Sequence, residues 1–220
     1  MTFSILARDP ATGLMGGAAA TGSLCVGGWV LRGRADAGLS ASQGASPSTL
    51  WGEAAITALA EGESATDAVT RITGADRGRD ARQLSALGLS GPGAAFSGSA
   101  NGPEIADMLF DGGVAAGNLL SSVDVIPALV DGFLGASGDL PHRLLEGLIA
   151  AQAAGSDSRG LFSAALLVVG RDRAPLTLRI DYSEDPLTDL ADLLERATSG
   201  EYQFWAHQVP TLDNPERTLD

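Results

Sequence analysis

From Thr2 to Arg8 the chain alternates, with Phe3, Ile5 and Ala7 on one face and Thr2, Ser4 and Leu6 on the other. Side chains that repeat every two residues belong to a strand, so the sequence predicts sheet from its first residues. Asp9-Pro10-Ala11-Thr12-Gly13 follows, where the proline presets φ and the glycine accepts a positive φ, and Leu14 to Thr21 is then small and apolar. A β-hairpin is expected there. Val26 to Leu31 and Ala35 to Gln43 read as two further strands, interrupted by glycines 27, 28, 33 and 38, which makes the first quarter of the chain mostly sheet.

The periodicity then changes. Ser46-Pro47 offers a capping hydroxyl before a proline suited to a first helical turn, and Leu50, Ala54 and Ala58 with Trp51, Ala55 and Leu59 repeat at helical spacing. A second helix is expected from the Ser64 cap, with Asp67 three residues on, to Gly74. Leu84 to Leu89, Gly93 to Ser97 and Gly113 to Asn118 read as strands, the first two around a Gly91-Pro92-Gly93 turn. Val125 to Leu134 and Leu140 to Ala154 form another helical pair, the latter capped by Asp139 with Pro141 near its start. Leu161 to Val169 and Leu176 to Ile180 are strands, and Asp185-Pro186 opens an amphipathic helix through Leu187, Leu190, Leu194 and Ala197. The order sheet, helix pair, sheet, helix pair, sheet, helix suits two packed sheets covered by helices better than alternating βαβ units. We read one domain over residues 1–200 and a polar tail or arm over 201–220.

Composition narrows the function. Lysine is absent, so all 14 basic residues are arginines, and a mechanism that needs a lysine amine is excluded; arginine, with a pKa above about 12, cannot serve as its substitute base. Acids number 27 and the net charge is −13, which argues against nucleic acid and anionic membrane surfaces as partners. No stretch approaches the roughly 20 apolar residues of a membrane span. The one cysteine, Cys25, cannot form an internal disulfide, and the first residues lack the basic and apolar regions of a secretory signal, so a cytoplasmic location is expected. Two histidines and one cysteine do not assemble the usual zinc clusters, no calcium-loop spacing occurs, and neither a phosphate loop nor a dinucleotide fingerprint is present. Neither metal nor organic cofactor is expected. His142, His207 and Cys25 read as surface or structural residues, and no GxSxG elbow supports a serine triad.

Thr2 offers different chemistry. Loss of Met1, plausible before a small residue, would place a hydroxyl and a free α-amine on one residue, and an amine with an unperturbed pKa of about 7.7–8 can accept the hydroxyl proton without histidine or lysine.

The opening Thr2-Phe3-Ser4-Ile5-Leu6-Ala7-Arg8-Asp9-Pro10-x-Thr12-Gly13 resembles the domain of unknown function 1028 family. So do Ser42-Gln43, Gly117-Asn118, Gly155-Ser156-Asp157-Ser158-Arg159-Gly160, the strand from Ser163 to Val169, and Asp185-Pro186, in the same order along the chain. That family is similar to the N-terminal-nucleophile hydrolases. The resemblance implies an α+β fold, a four-layer αββα sandwich of two mainly antiparallel sheets between helices. It implies Thr2 as nucleophile, Asp157 orienting the network and Ser163 hydrogen-bonding the amine, with Ser42, Gln43 and Asn118 as candidates for substrate or oxyanion contacts and Arg159 as a candidate for substrate binding. Asp157 and Arg159 read equally as a loop-stabilising ion pair, and Asn118 as a turn residue.

Two functions remain open. One is an amidohydrolase acting on a small amide or peptide; the other is a non-catalytic binding or assembly protein that keeps the sandwich. The Ala and Gly content and the need to cover sheet edges lead us to expect a homo-oligomer.

Overall fold

A computed structural model describes residues 2–155 and 160–219. The fold is α+β, with two antiparallel sheets and, among the described residues, seven helices. The hairpin forms as the sequence predicts. Strands β1 (Thr2–Arg8) and β2 (Met15–Thr21) pair from Arg8 opposite Met15 to Thr2 opposite Thr21. Their turn is held by Asp9, whose carboxylate accepts from the Ala11 N–H at 3.1 Å and the Thr12 hydroxyl at 2.7 Å, while Gly13 takes φ 72°.

The segment after β2 departs from expectation. Val26 to Leu31 was expected as a strand, but Val26–Trp29 is a short helix, α1, and β3 covers only Leu31–Arg34. Gly27 and Gly28 explain it: a Cβ on Gly27 would lie 2.7 Å from the Ala165 Cβ and from Cγ of Arg179, so the turn sits closer to its neighbours than a side chain allows. A turn at Ala37 separates β3 from β4 (Gly38–Gln43). Helix α2 (Thr49–Ala60) begins later than Ser46-Pro47 suggests, with Ser48 at the N-cap, and α3 (Ala65–Gly74) starts at Ser64, whose hydroxyl accepts from the Asp67 N–H at 3.1 Å.

Strands β5 (Gln83–Gly88) and β6 (Ala94–Ser97) complete a sheet of order β3-β4-β5-β6. A strand the sequence does not announce, β7 (Glu104–Phe110), comes next, then β8 (Gly113–Leu120). Helices α4 (Val125–Gly135) and α5 (Leu140–Ala153), strands β9 (Ser163–Val169) and β10 (Leu176–Ile180), and helix α6 (Pro186–Ala197) follow. The larger sheet runs β10-β9-β2-β1-β8-β7. Within the tail, α7 (Gly200–Ala206) is helical, and Asp213 returns to pair with Arg171 at 2.8 Å beyond the end of β9.

Alternation along β1 divides the core. Phe3, Ile5 and Ala7 pack with Leu140, Leu144 and Leu148 of α5 and with residues of α4 and α6, whereas Leu6 joins Ala19, Leu39, Leu87 and Ala165 between the sheets. A third cluster binds α2 and α3 to the smaller sheet through Trp51, Ala55, Val69 and Leu84. Full burial of each such leucine contributes about 1.5–3 kcal/mol. The small side chains of β2 make this close packing possible: a Cβ on Gly16 would meet Leu144 Cδ1 at 2.6 Å, and one on Gly17 would meet Leu6 Cδ2 at 2.9 Å.

Asp139 caps α5 by accepting from the His142 N–H at 3.3 Å, and the His142 ring ties α5 to α6. Nδ1 bonds the Asp139 carboxylate and Nε2 lies 3.2 Å from Glu195 Oε1. The Asp139 hydrogen bond raises the His142 pKa above its ordinary value; partial desolvation opposes the rise and Glu195 adds to it. A raised pKa stabilises the fold fully below the unfolded imidazole pKa of about 6.5, and the contribution disappears as pH rises through the folded value. Denaturant midpoints for wild type and His142→Gln are therefore expected to differ most in mild acid and to converge in alkali. A gap that does not change with pH would show that the imidazole's charge plays no part.

Candidate active site

Register brings the site together. Across the larger sheet Thr2 stands opposite Thr21 on one side and Asn118 on the other, and Thr21 stands opposite Ser163. Paired residues in antiparallel strands project to the same face. Thr2 and Ser4 share the face of Leu6, which lies between the sheets, so Ser163, Thr21, Thr2 and Asn118 form one row on the inter-sheet face at one end of the sheet.

The Thr2 hydroxyl is 3.0 Å from the Thr21 hydroxyl, its one side-chain partner among the described residues. Gln43 reaches the row from the last position of β4 in the facing sheet. Its Nε2 donates to the Thr2 carbonyl at 3.2 Å, to Ala116 O at 3.2 Å and to Gln83 Oε1 at 2.8 Å, while its Oε1 accepts from the Ser4 hydroxyl at 2.8 Å. Gln83 continues the chain, donating to Ser97 Oγ at 2.8 Å, and the Ser97 hydroxyl donates to the exposed Asp107 carboxylate at 2.6 Å. A buried polar chain thus crosses between the sheets and holds the backbone of the first residue of β1.

Ser163 is fully buried, accepts from the Val26 N–H at 3.1 Å and donates to Ser23 O at 2.9 Å. Its one proton is committed and one lone pair remains to accept from a neighbouring N–H. Asn118 is 1 % exposed, and neither its Nδ2 nor its Oδ1 has a partner among the described residues. Its backbone is set by Leu119, which takes φ 53° and donates its N–H to Asn101 O at 2.9 Å. Asn101 is itself buried, donating to Asp80, Arg82 and Gly98 carbonyls and accepting from the Ala45 N–H.

Of the residues the sequence singles out, Thr2, Ser163, Gln43 and Asn118 converge. Ser42 does not: it lies on the opposite face of β4 from Gln43, and its hydroxyl donates to the Ser48 carbonyl at 2.7 Å at the start of α2. Asp157 and Arg159 lie outside the described residues. Sequence reasoning missed Thr21 and Gln83. Thr21 was recoverable, because a hairpin that sets Arg8 opposite Met15 sets Thr2 opposite Thr21. The five converging side chains, Thr2, Thr21, Gln43, Asn118 and Ser163, are all uncharged. Among the described residues no group of three or more His, Cys, Asp or Glu gathers to hold a metal, and no helix is long and apolar enough to cross a membrane.

No curated protein matches the chain. Over its whole length the chain is 52 % identical to protein SPO2555 from Silicibacter pomeroyi, and it covers 96 % of that protein's crystal structure with a TM-score of 0.96. A family described as a family of unknown function, DUF1028, matches residues 2–190, a stretch that holds both sheets and every described member of the Thr2 row. By that match the chain belongs to the DUF1028 family.

Proposed function

We propose that the protein is an N-terminal-nucleophile amidohydrolase acting on a small amide or peptide, and that its two sheets and covering helices are the αββα sandwich of that class. One observation carries the reading: Thr2, Thr21, Asn118 and Ser163 stand in a single row, with the Thr2 carbonyl held by Gln43 from the other sheet. Once Met1 is removed, the Thr2 α-amine takes the proton of its own hydroxyl as Oγ1 attacks the amide carbonyl. The same amine returns that proton to the departing nitrogen, and water then hydrolyses the ester. Burial fixes the polar groups before the reaction, which favours charge developing on the carbonyl oxygen. With no lysine in the chain, the amine is the base without an ammonium beside it to lower its pKa.

The test compares two preparations of the same sequence, one processed and one retaining Met1 because methionine aminopeptidase is inhibited during expression. Intact mass identifies each. Amide hydrolysis is expected from the processed form alone, since Met1 turns the amine into an amide that cannot accept a proton. Equal turnover by the two forms would remove the amine from the mechanism, and inertness of both would favour the binding-protein reading.

A further inference from the structure

We infer that the site reads an amide whose N–H lies cis to its C=O, a primary carboxamide or a lactam, through paired hydrogen bonds to the side chain of Asn118. The inference rests on the amidohydrolase reading and names its substrate class. Asn118 is the member of the row with both polar atoms unmet: Nδ2 and Oδ1 are buried and without a partner among the described residues. Buried polar side-chain atoms are ordinarily hydrogen-bonded, so a carboxamide with neither atom paired points to a ligand it has yet to receive. Leu119 and the Asn101 hub fix the backbone beside it, and 1 % exposure leaves the amide no solvent to bond instead.

The neighbours narrow the chemistry. Asn118 faces Thr2 across the strand pair, with Cβ atoms of such pairs about 4.5–5.5 Å apart, so a group bound to its amide lies beside the nucleophile. Among the described residues no charged side chain is in the row, which suits an uncharged ligand. A primary amide of asparagine presents one donor and one acceptor side by side along one edge. A primary carboxamide or a lactam offers the complementary acceptor and donor on one edge and satisfies both atoms at once. A trans secondary amide carries its N–H and C=O on opposite edges and can satisfy only one. The carboxylate product offers acceptors alone and sets an oxygen against Asn118 Oδ1, which favours its release.

For a primary carboxamide the steps balance as follows. Thr2 Oγ1 forms a bond to the carbonyl carbon, the C–N bond breaks, and the hydroxyl proton passes through the α-amine to the leaving nitrogen as ammonia departs. Water then adds to the Thr2 ester, releasing the carboxylic acid and restoring the hydroxyl. A lactam opens by the same steps, its amine remaining attached to the acid. Asn118 is 1 % exposed and pairs across the strands with Thr2, the residue whose nitrogen becomes an amine when Met1 is removed.

The experiment uses processed protein, verified by mass, and two matched sets: benzamide with N-methylbenzamide, and 2-pyrrolidinone with N-methyl-2-pyrrolidinone. Turnover is followed by ammonia or amino-acid release in wild type, and binding by the side-chain NH2 resonances of Asn118 in Thr2→Ala, assigned by their loss in Asn118→Asp. Benzamide or 2-pyrrolidinone is expected to move those resonances and to turn over about tenfold or more faster than its N-methyl partner, with the preference lost in Asn118→Asp. Which set responds separates the carboxamide from the lactam. Thr2-dependent turnover that ignores N-methylation would overturn the inference and leave the amidohydrolase reading standing. Resonance shifts without turnover would keep the recognition and overturn the hydrolysis. No shift and no turnover in either set would overturn both.

Discussion

Thr2→Ala is expected to lower amide turnover by at least about 10³-fold while leaving the protein folded, because the substitution removes the oxygen proposed to attack and, besides it, only the γ-methyl of a half-buried residue. The hydroxyl makes one described hydrogen bond, to Thr21 at 3.0 Å, worth about 1 kcal/mol, and in a chain of this size that is about 2–4 °C in Tm. Thr2→Ser keeps the oxygen and the amine and is expected to retain measurable turnover. The pH profile supplies a separate check. The amine is a base only when neutral, so kcat/KM of the processed wild type is expected to rise with pH through an acid limb centred near the ordinary α-amine value of about 7.7–8. Hydrolysis that persists in Thr2→Ala would place the activity elsewhere and end the nucleophile reading.

The largest expected loss of stability comes from Gln43→Leu. The glutamine is 2 % exposed and joins four partners: the Ser4 hydroxyl, the Thr2 and Ala116 carbonyls and the Gln83 side chain. Leucine fills much the same volume but strands polar groups between the sheets, each at a cost of about 1–3 kcal/mol where no other partner is found. A total of about 3 kcal/mol or more, or about 6–12 °C in Tm, is expected from thermal or urea unfolding. Gln43→Glu adds a second reading of the same site. An ionised carboxylate cannot donate to the three oxygens that Nε2 serves, so this variant is expected to be least stable at neutral pH and to recover as acid protonates the carboxyl. A loss below about 1 kcal/mol in Gln43→Leu would show that the crossing chain is not what joins the sheets.

Local patterns made much of the fold legible. Alternation revealed β1, the Asp9 to Gly13 turn revealed its hairpin, and the Ser64 and Asp139 caps located α3 and α5 because each satisfies a backbone donor that its own helix leaves open. Where tertiary packing decides, the sequence was silent or misleading. Val26 to Trp29 carries a β-branched residue and an aromatic but folds as a helical turn, since Gly27 must fit against Ala165 and Arg179 from distant strands. Strand β7 lies at the edge of its sheet, and Ile105, Met108, Leu109 and Phe110 do not alternate, so no period announces it. The site divides in the same way. Thr2 and Thr21 follow from hairpin register, whereas the meeting of Gln43 with Thr2 depends on how one sheet faces the other, and no spacing in the chain encodes that.

Thr2 begins a strand that is paired on both sides, with Thr21 and Asn118 as its flanking partners. An affinity handle fused ahead of it would acylate the nitrogen that the proposed mechanism needs and would leave the sheet through the row itself. On that mechanism such a protein is expected to give no amide turnover, whatever the processed chain can do. At the other end of the chain, Asp213 is fastened to Arg171 beyond the end of β9 that lies away from Ser163, so a handle placed at the C-terminus leaves the Thr2 nitrogen free of any fusion.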